Sequence, residues 1–207
     1  MRISVIGATG GIGREVVTQA QEAGFDVVAA VRNPAAVPPG ARIERVDVFD
    51  PVALAEVIDG SDAVVSALGP RKDSPTSLLT DGVRAALAAM DKTGVERLVV
   101  VSAAGAFVEP EDGLVVRGVA KPLLGRLLRR TFTDVRAMEA AVVESHILWT
   151  IIRPPRLLDR PGTDHYRLAV GRGLTRASSI PRADVAAAIL ECLWDGATRQ
   201  RVVRVAS

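Results

Sequence analysis

Residues Gly7-Ala8-Thr9-Gly10-Gly11-Ile12-Gly13 follow a short apolar run at 3–6 and open an Ala-rich amphipathic stretch at 12–23. Glycines at 7, 10 and 13 permit a tight turn, a close backbone approach to a phosphorylated ligand, and close packing of a helix on a strand. A helix beginning there aims N–H groups and the positive end of its dipole at an anion. Ala8 makes the spacing G-x-x-G-x-x-G rather than G-x-G-x-x-G. In isolation such a triplet fits an ordinary turn, so its meaning depends on what surrounds it.

Outward from that turn the pattern repeats along the whole chain. Val/Ile-rich runs at 27–32, 43–48, 63–68, 97–102, 148–153 and 202–205 alternate with amphipathic stretches at 52–58, 78–93, 134–145 and 182–194. Most runs lack a period of two, as expected of strands buried on both faces of a parallel sheet. The alternation predicts βαβ units and an α/β, doubly wound, mainly parallel sheet of about seven strands in one domain, 1–207. In that setting the first turn becomes a dinucleotide site. Gly24 and Gly94 sit where left-handed helix caps are wanted, and Asp50-Pro51 reads as an N-cap and N1 proline. Thr133-Asp134 and Ser179-Ile180-Pro181 announce the last two helices in the same way.

Two stretches break the alternation, 105–133 and 154–177. Both leave carboxyl ends of strands, where α/β sheets bind ligands, so they are expected to be lids or substrate loops rather than plain surface excursions. Within the first, Arg117, Lys121, Arg126, Arg129 and Arg130 punctuate Val119, Leu123, Leu124, Leu127 and Leu128. This broken basic helix reads as packed on the sheet edge, as a substrate lid that puts Lys121 at the substrate, or as a partner surface.

Composition narrows the classes. The 207 residues carry a net charge of +2, too balanced for a nucleic-acid coat. One cysteine, Cys192, excludes an internal disulfide and is expected in the core. Two histidines, His146 and His165, leave little for a metal centre, and none is expected. No apolar run reaches the roughly eighteen residues of a membrane span, and the start is too soon broken by glycine for a signal peptide. A cytoplasmic protein without integral membrane contact is expected, acting on a small molecule as a monomer or dimer.

Arg32 ends the second strand, nineteen residues after Gly13. An NAD-preferring site usually carries Asp or Glu there for the ribose hydroxyls, whereas a cation suits the 2′-phosphate of NADP. The plainer alternative is a solvated strand-end arginine. NADP(H) is the expected cofactor.

Taken with Val31-Arg32-Asn33, Asp47-Val48 and Ser66-Ala67-Leu68-Gly69, the glycine turn resembles that of the atypical short-chain dehydrogenase/reductases of the NmrA-like group. The compact biliverdin-IXβ/flavin reductase-like members are the nearest match. The likeness runs on through residues 82–92, 99–103 and Arg153-Pro154-Pro155. The resemblance implies a Rossmann fold. It also implies that Gly7, Thr9, Gly10, Gly11, Ile12 and Gly13 hold the pyrophosphate, Arg32 and Asn33 the 2′-phosphate, and Asp47 and Val48 the adenine. By the same resemblance Ala67, Leu68 and Gly69 run under the second ribose, Ser102 and Ala103 lie beside the nicotinamide, and Pro154, Pro155 and Arg156 close its far side.

The departures bear on chemistry. The Tyr-x-x-x-Lys pair of typical members is absent, since the one tyrosine, Tyr166, is followed by Val170. Hydride transfer survives, because the nicotinamide carries that chemistry and the protein orients it. Ser102 is the candidate catalytic residue, either bonding a substrate carbonyl or the nicotinamide amide, or serving as a structural strand-end hydroxyl. Tyr166, beside His165, is a candidate substrate contact or an ordinary loop residue. The expected activity is NADPH-dependent reduction of a flat conjugated acceptor (flavin, quinone or tetrapyrrole). The alternative is a non-catalytic NADP(H)-binding redox sensor. A sugar-nucleotide epimerase fits worse, as little chain follows Arg153 to build a sugar site.

Overall fold

The computed structural model describes residues 1–70, 75–108, 118, 121–175 and 177–207. Strands β1 (Arg2–Ile6), β2 (Asp26–Val31), β3 (Arg42–Arg45), β4 (Ala63–Ser66), β5 (Arg97–Val101), β6 (Leu148–Arg153), β8 (Arg167–Val170) and β10 (Arg201–Ala206) form one eight-stranded sheet. Its order is β3-β2-β1-β4-β5-β6-β10-β8, parallel except for β8, which runs antiparallel to β10. A separate parallel pair joins β7 (Arg156–Leu158) to β9 (Ser179–Pro181). The helices are α1 (Gly11–Glu22), α2 (Pro51–Ile58), α3 (Leu78–Thr93), α4 (Lys121–Leu127), α5 (Arg129–Val143) and α6 (Arg182–Trp194).

The chain builds outward from β1 in two directions, through β2 and β3 on one side and through β4, β5 and β6 on the other. That reversal opens a crevice beyond the carboxyl ends of β1 and β4, the general ligand position in such sheets. The two faces carry separate cores, which explains the continuous apolar runs. In β5, Val99 and Val101 pack with α1 and α6, while Leu98 and Val100 pack with α2, α3 and α5. Helix α1 shows why a stripe suffices for a helix: Ile12, Val16, Val17 and Ala20 are buried while Arg14 and Glu22 are exposed. Burying an aliphatic side chain of this size contributes about 1.5–3 kcal/mol.

Asp50 caps α2, its Oδ1 accepting from the N–H groups of Val52 (2.9 Å) and Ala53 (3.1 Å). Gly94 closes α3 at φ +73°, in the left-handed region. Asp134 departs from its expected capping role. It lies inside α5, which starts earlier, at Arg129. Its buried carboxylate instead caps the start of α3, accepting from the N–H groups of Leu79 (2.8 Å) and Thr80 (3.0 Å) and from the Thr80 hydroxyl (2.6 Å).

The expected sheet of about seven strands gains β8 from the 154–177 stretch, and β7 and β9 form outside it. An edge strand of four residues, with only Ala169 fully buried, is too short for its periodicity to show. Residues 109–117, 119 and 120 of the 105–133 stretch, Arg117 and Val119 among them, lie outside the described residues, as does the Lys121 side chain, while Arg126, Arg129 and Arg130 are exposed. What is described shows Leu123 and Leu127 of α4 exposed rather than packed on the sheet edge. Among the described residues no helix is long and apolar enough to cross a membrane. Among the same residues, no group of three or more His, Cys, Asp or Glu side chains is placed to hold a metal.

Candidate active site

The glycine turn is built by steric necessity. Gly7 has φ +83°, and a Cβ there would stand 2.8 Å from the Ala67 backbone carbonyl. Only glycine lets the end of β1 approach the end of β4 so closely, which brings Ala67 and Leu68 under the turn. The Gly7 carbonyl accepts from the Gly10 N–H (2.9 Å), and a Cβ on Gly13 would fall 2.2 Å from that same oxygen. Turn and helix are therefore folded tightly together. The N-cap of α1 is Gly10, which has no side chain to place over the helix end. Backbone and bare Cα atoms thus form a cradle that a Cβ would fill, and this fits a pyrophosphate held by main-chain N–H groups.

Gly11 discloses a residue that the sequence reading passed over. A Cβ on Gly11 would meet Arg182 Cδ at 2.6 Å and Arg182 Cζ at 3.3 Å. The first residue of α6 therefore lays its guanidinium across the first turn of α1. Arg182 Nε donates to Asp159 Oδ1, and this hydrogen bond, with the adjacent positive charge, holds the exposed Asp159 carboxyl below its usual range. Nothing in the sequence links two positions so far apart.

Along the β2 side, Arg32 and Asn33 follow the end of β2 and are exposed. Arg32 makes no hydrogen bond or ion pair among the described residues. Asp47 Oδ1 accepts from the Phe49 N–H (3.1 Å) in a local turn, and Val48 is half-buried. Gly82 of α3 makes room for Leu68, whose Cδ1 lies 2.6 Å from where a Cβ would be.

On the β5–β6 side the expected neighbours come together. The Ser102 N–H donates to the Ile152 carbonyl (2.8 Å) and the Ala104 N–H to the Pro154 carbonyl (2.9 Å). The strand pairing thus continues past both strand ends and holds Ser102, Ala103 and Pro154 together. Pro155 is half-buried and Arg156 is exposed at the start of β7. The Ser102 hydroxyl donates to Glu139 Oε1 of α5. Arg153 Nε donates to that same oxygen (2.8 Å) and Arg153 Nη2 to Glu139 Oε2. The Arg153 guanidinium carbon lies 3.5 Å from the centre of the Phe107 ring. Glu139 is 5% exposed, so a fully engaged ion pair sits at the end of the sheet that faces the crevice. Its members are scattered in the sequence, and only the packing of α5 against β5 and β6 unites them.

Tyr166 is placed by a helix on the far side of the sheet from Glu139. Its hydroxyl donates to Glu191 Oε2 (2.9 Å), and its ring packs with the α1–α6 core. Burial and that hydrogen bond push the phenol above its usual range. Glu191 lies nine residues along α6 from Arg182, roughly 13 Å from the helix end at the crevice. Tyr166 packs on the other face of the sheet from Glu139. Cys192 is fully buried, as expected.

Comparison with known proteins agrees with this fold. YwnB of Bacillus subtilis is 30% identical over 199 residues, which cover 92% of this chain and 91% of YwnB. Among solved structures, ChuY of Escherichia coli O157:H7, titled an anaerobilin reductase, superposes with a TM-score of 0.81 at 20% identity, covering 100% of this chain and 97% of that one. A short-chain dehydrogenase/reductase of Veillonella parvula, solved in complex with NADP, gives 0.83 at 16% identity, covering 100% and 94%. At these identities the structures speak for the fold alone, a mainly parallel sheet flanked by helices. Residues 7–195 match the family described as NAD(P)H-binding, and the chain belongs to that family.

Proposed function

We propose that the protein is an NADPH-dependent oxidoreductase that delivers a hydride to a flat conjugated acceptor, a flavin, a quinone or a tetrapyrrole. The observation carrying the cofactor choice is Arg32, an exposed cation at the end of β2 with no partner among the described residues. It stands where an NAD site would place a carboxylate. In this reading Gly7, Thr9, Gly10, Gly11, Ile12 and Gly13 hold the pyrophosphate, with Arg182 adding a cation at the same turn. Arg32 and Asn33 take the 2′-phosphate, Asp47 and Val48 flank the adenine, and Ala67, Leu68 and Gly69 line the second ribose. Ser102, Ala103, Pro154, Pro155 and Arg156 enclose the nicotinamide, which supplies the hydride when bound. The structural neighbour ChuY, an anaerobilin reductase, supports the reaction class.

Arg32→Ala tests this reading. A charge-assisted hydrogen bond is worth about 1.5–3 kcal/mol, so NADPH binding should weaken roughly ten- to hundredfold while NADH binding stays unchanged. Equal losses would defeat it. Acceptor-dependent loss of absorbance at 340 nm, across flavins, quinones and biliverdin, then identifies the acceptor class.

One observation favours a second reading. The sole tyrosine is bound to Glu191 and the Ser102 proton goes to Glu139, so neither is placed to protonate a substrate. A redox sensor that binds NADP and NADPH with different affinities and turns over no acceptor would show the same features. A reductase whose acceptor takes its proton from solvent would also show them, and turnover separates the two.

A further inference from the structure

We propose that Ser102 meets its ligand as a hydrogen-bond acceptor, a polarity imposed by buried Glu139 in its ion pair with Arg153. The group over Ser102 therefore carries an N–H or O–H, not a bare carbonyl. The proposal builds on the cofactor reading above and adds to it the direction of one hydrogen bond.

The argument is a count of protons. A serine hydroxyl has one proton and two lone pairs. Glu139 receives a two-pronged contact from Arg153, Nε on one carboxylate oxygen and Nη2 on the other. A carboxylate gripped in this way accepts only. In the short contact between Ser102 and Glu139 the hydroxyl is therefore the donor, and its proton is committed. Rotating the hydroxyl toward a ligand would leave Glu139 short of one donor in a site where it is 5% exposed, and unmade hydrogen bonds to buried charge are costly. The arrangement is also stiff. The Ser102 backbone is tied to Ile152, Arg153 directly follows Ile152, and the guanidinium rests on Phe107. Ser102 keeps 8% of its surface, at the carboxyl end of β5, and there it offers lone pairs.

Two ligand groups have the required chemistry: the carboxamide N–H₂ of the nicotinamide and an N–H or O–H of the acceptor. Ser102 touches the ligand, while Glu139 and Arg153 act through it as positioning residues. Their joint effect is to discriminate against an acceptor that would present a carbonyl oxygen to Ser102, since oxygen lone pairs would then face each other.

The test is a binding experiment with the full chain. Affinities of wild type, Ser102→Ala and Ser102→Thr are measured for NADPH and for its 3-acetylpyridine analogue, in which a methyl replaces the carboxamide N–H₂. Wild type and Ser102→Thr should prefer NADPH by about three- to tenfold, and Ser102→Ala should lose the preference by weakening NADPH alone. If Ser102→Ala leaves both cofactors unchanged but abolishes a preference for an isoalloxazine with N3–H over its N3-methyl form, the donor belongs to the acceptor. Ser102→Ala keeps the Glu139–Arg153 pair but takes one donor from Glu139, so the affinities are read on protein whose native fold is checked by circular dichroism, and Ser102→Thr keeps the donor as a control. Glu139→Gln, whose amide can donate to Ser102, should shrink the same preference with the hydroxyl still present. If Ser102→Ala weakens both members of each pair alike or changes none of them, or if Glu139→Gln keeps the full preference, the proposal is overturned. If wild type binds no NADPH, the cofactor reading falls first.

Discussion

Two arginines stand at opposite ends of the sheet, Arg97 buried and Arg153 half-buried, and they are employed differently. Arg97 opens β5 at the end away from the crevice. It donates to the carbonyls of Leu98, Leu148, Cys192 and Leu193 and to the hydroxyls of Thr150 and Thr198. Cys192 and Leu193 belong to the last turn of α6, so Arg97 closes a helix end with dipoles alone. Desolvation lowers its pKa to about 10. A cavity of about 360 Å³ adjoins it, yet every Arg97 donor is already used by the protein. Arg153 closes β6 at the crevice end and meets a carboxylate that also binds a serine. The first arginine joins sheet to helix, whereas the second sets the orientation of a group that a ligand can touch. Burial and charge alone do not distinguish structure from function. The partner does.

The largest effect is expected at the structural end. Arg97→Met takes the arginine donor from the Leu193 carbonyl and from two hydroxyls, leaves the Cys192 carbonyl with the Thr198 hydroxyl alone, and should cost about 4 kcal/mol in denaturant unfolding, with NADPH affinity of the folded protein unchanged. A parallel loss of affinity would break the contrast. Arg153→Met strands Glu139 and should cost about 3 kcal/mol, with the NADPH-over-acetylpyridine preference also lost. Adding Glu139→Gln should recover at least half of that stability, because the orphaned charge is gone, without restoring the preference.

A third comparison uses pH. Burial, reinforced by the Glu191 charge, pushes the Cys192 thiol up to about 12. The unfolded thiol loses its proton near pH 9, so between those values the folded state holds more protons and stability falls as pH rises. Below pH 9 this contribution is fully present. The lowered Arg97 pKa acts with opposite sign, but only above about pH 10. Between pH 9 and 10, Cys192→Ala should therefore flatten the decline by up to about 1.4 kcal/mol per pH unit. An unchanged slope would mean that the thiol is hydrated in the native state. The smallest effect on stability belongs to Arg182, paired with an exposed carboxylate. Arg182→Ala should leave the melting temperature unmoved while weakening NADPH about tenfold, which isothermal titration would read.

Much of this was visible in the residue order. The glycines at 7, 10 and 13, the apolar runs and the Asp50 cap report local requirements, each carried by a few neighbouring residues. Asp134 shows where local reading stops. It has the chemistry of an N-cap and it does cap a helix, but the helix is α3, reached across the α3–α5 packing. The partner of Tyr166 was hidden for the same reason, since a loop position says nothing about which helix its hydroxyl will find. Lys121 keeps its expectation untested, its side chain lying outside the described residues.

By itself, then, the sequence determined the alternation of strands and helices, the tight glycine turn and the place of Arg32. These follow from periodicity and from steric limits acting within one turn or one strand. Tertiary structure decided that Arg182 would cross Gly11, that Asp134 would serve a neighbouring helix, and that Ser102, Glu139 and Arg153 would share one buried network. Hydrogen bonds between side chains depend on distances of about 3 Å. Residues tens of positions apart reach such distances only once the two cores have packed the helices against the sheet.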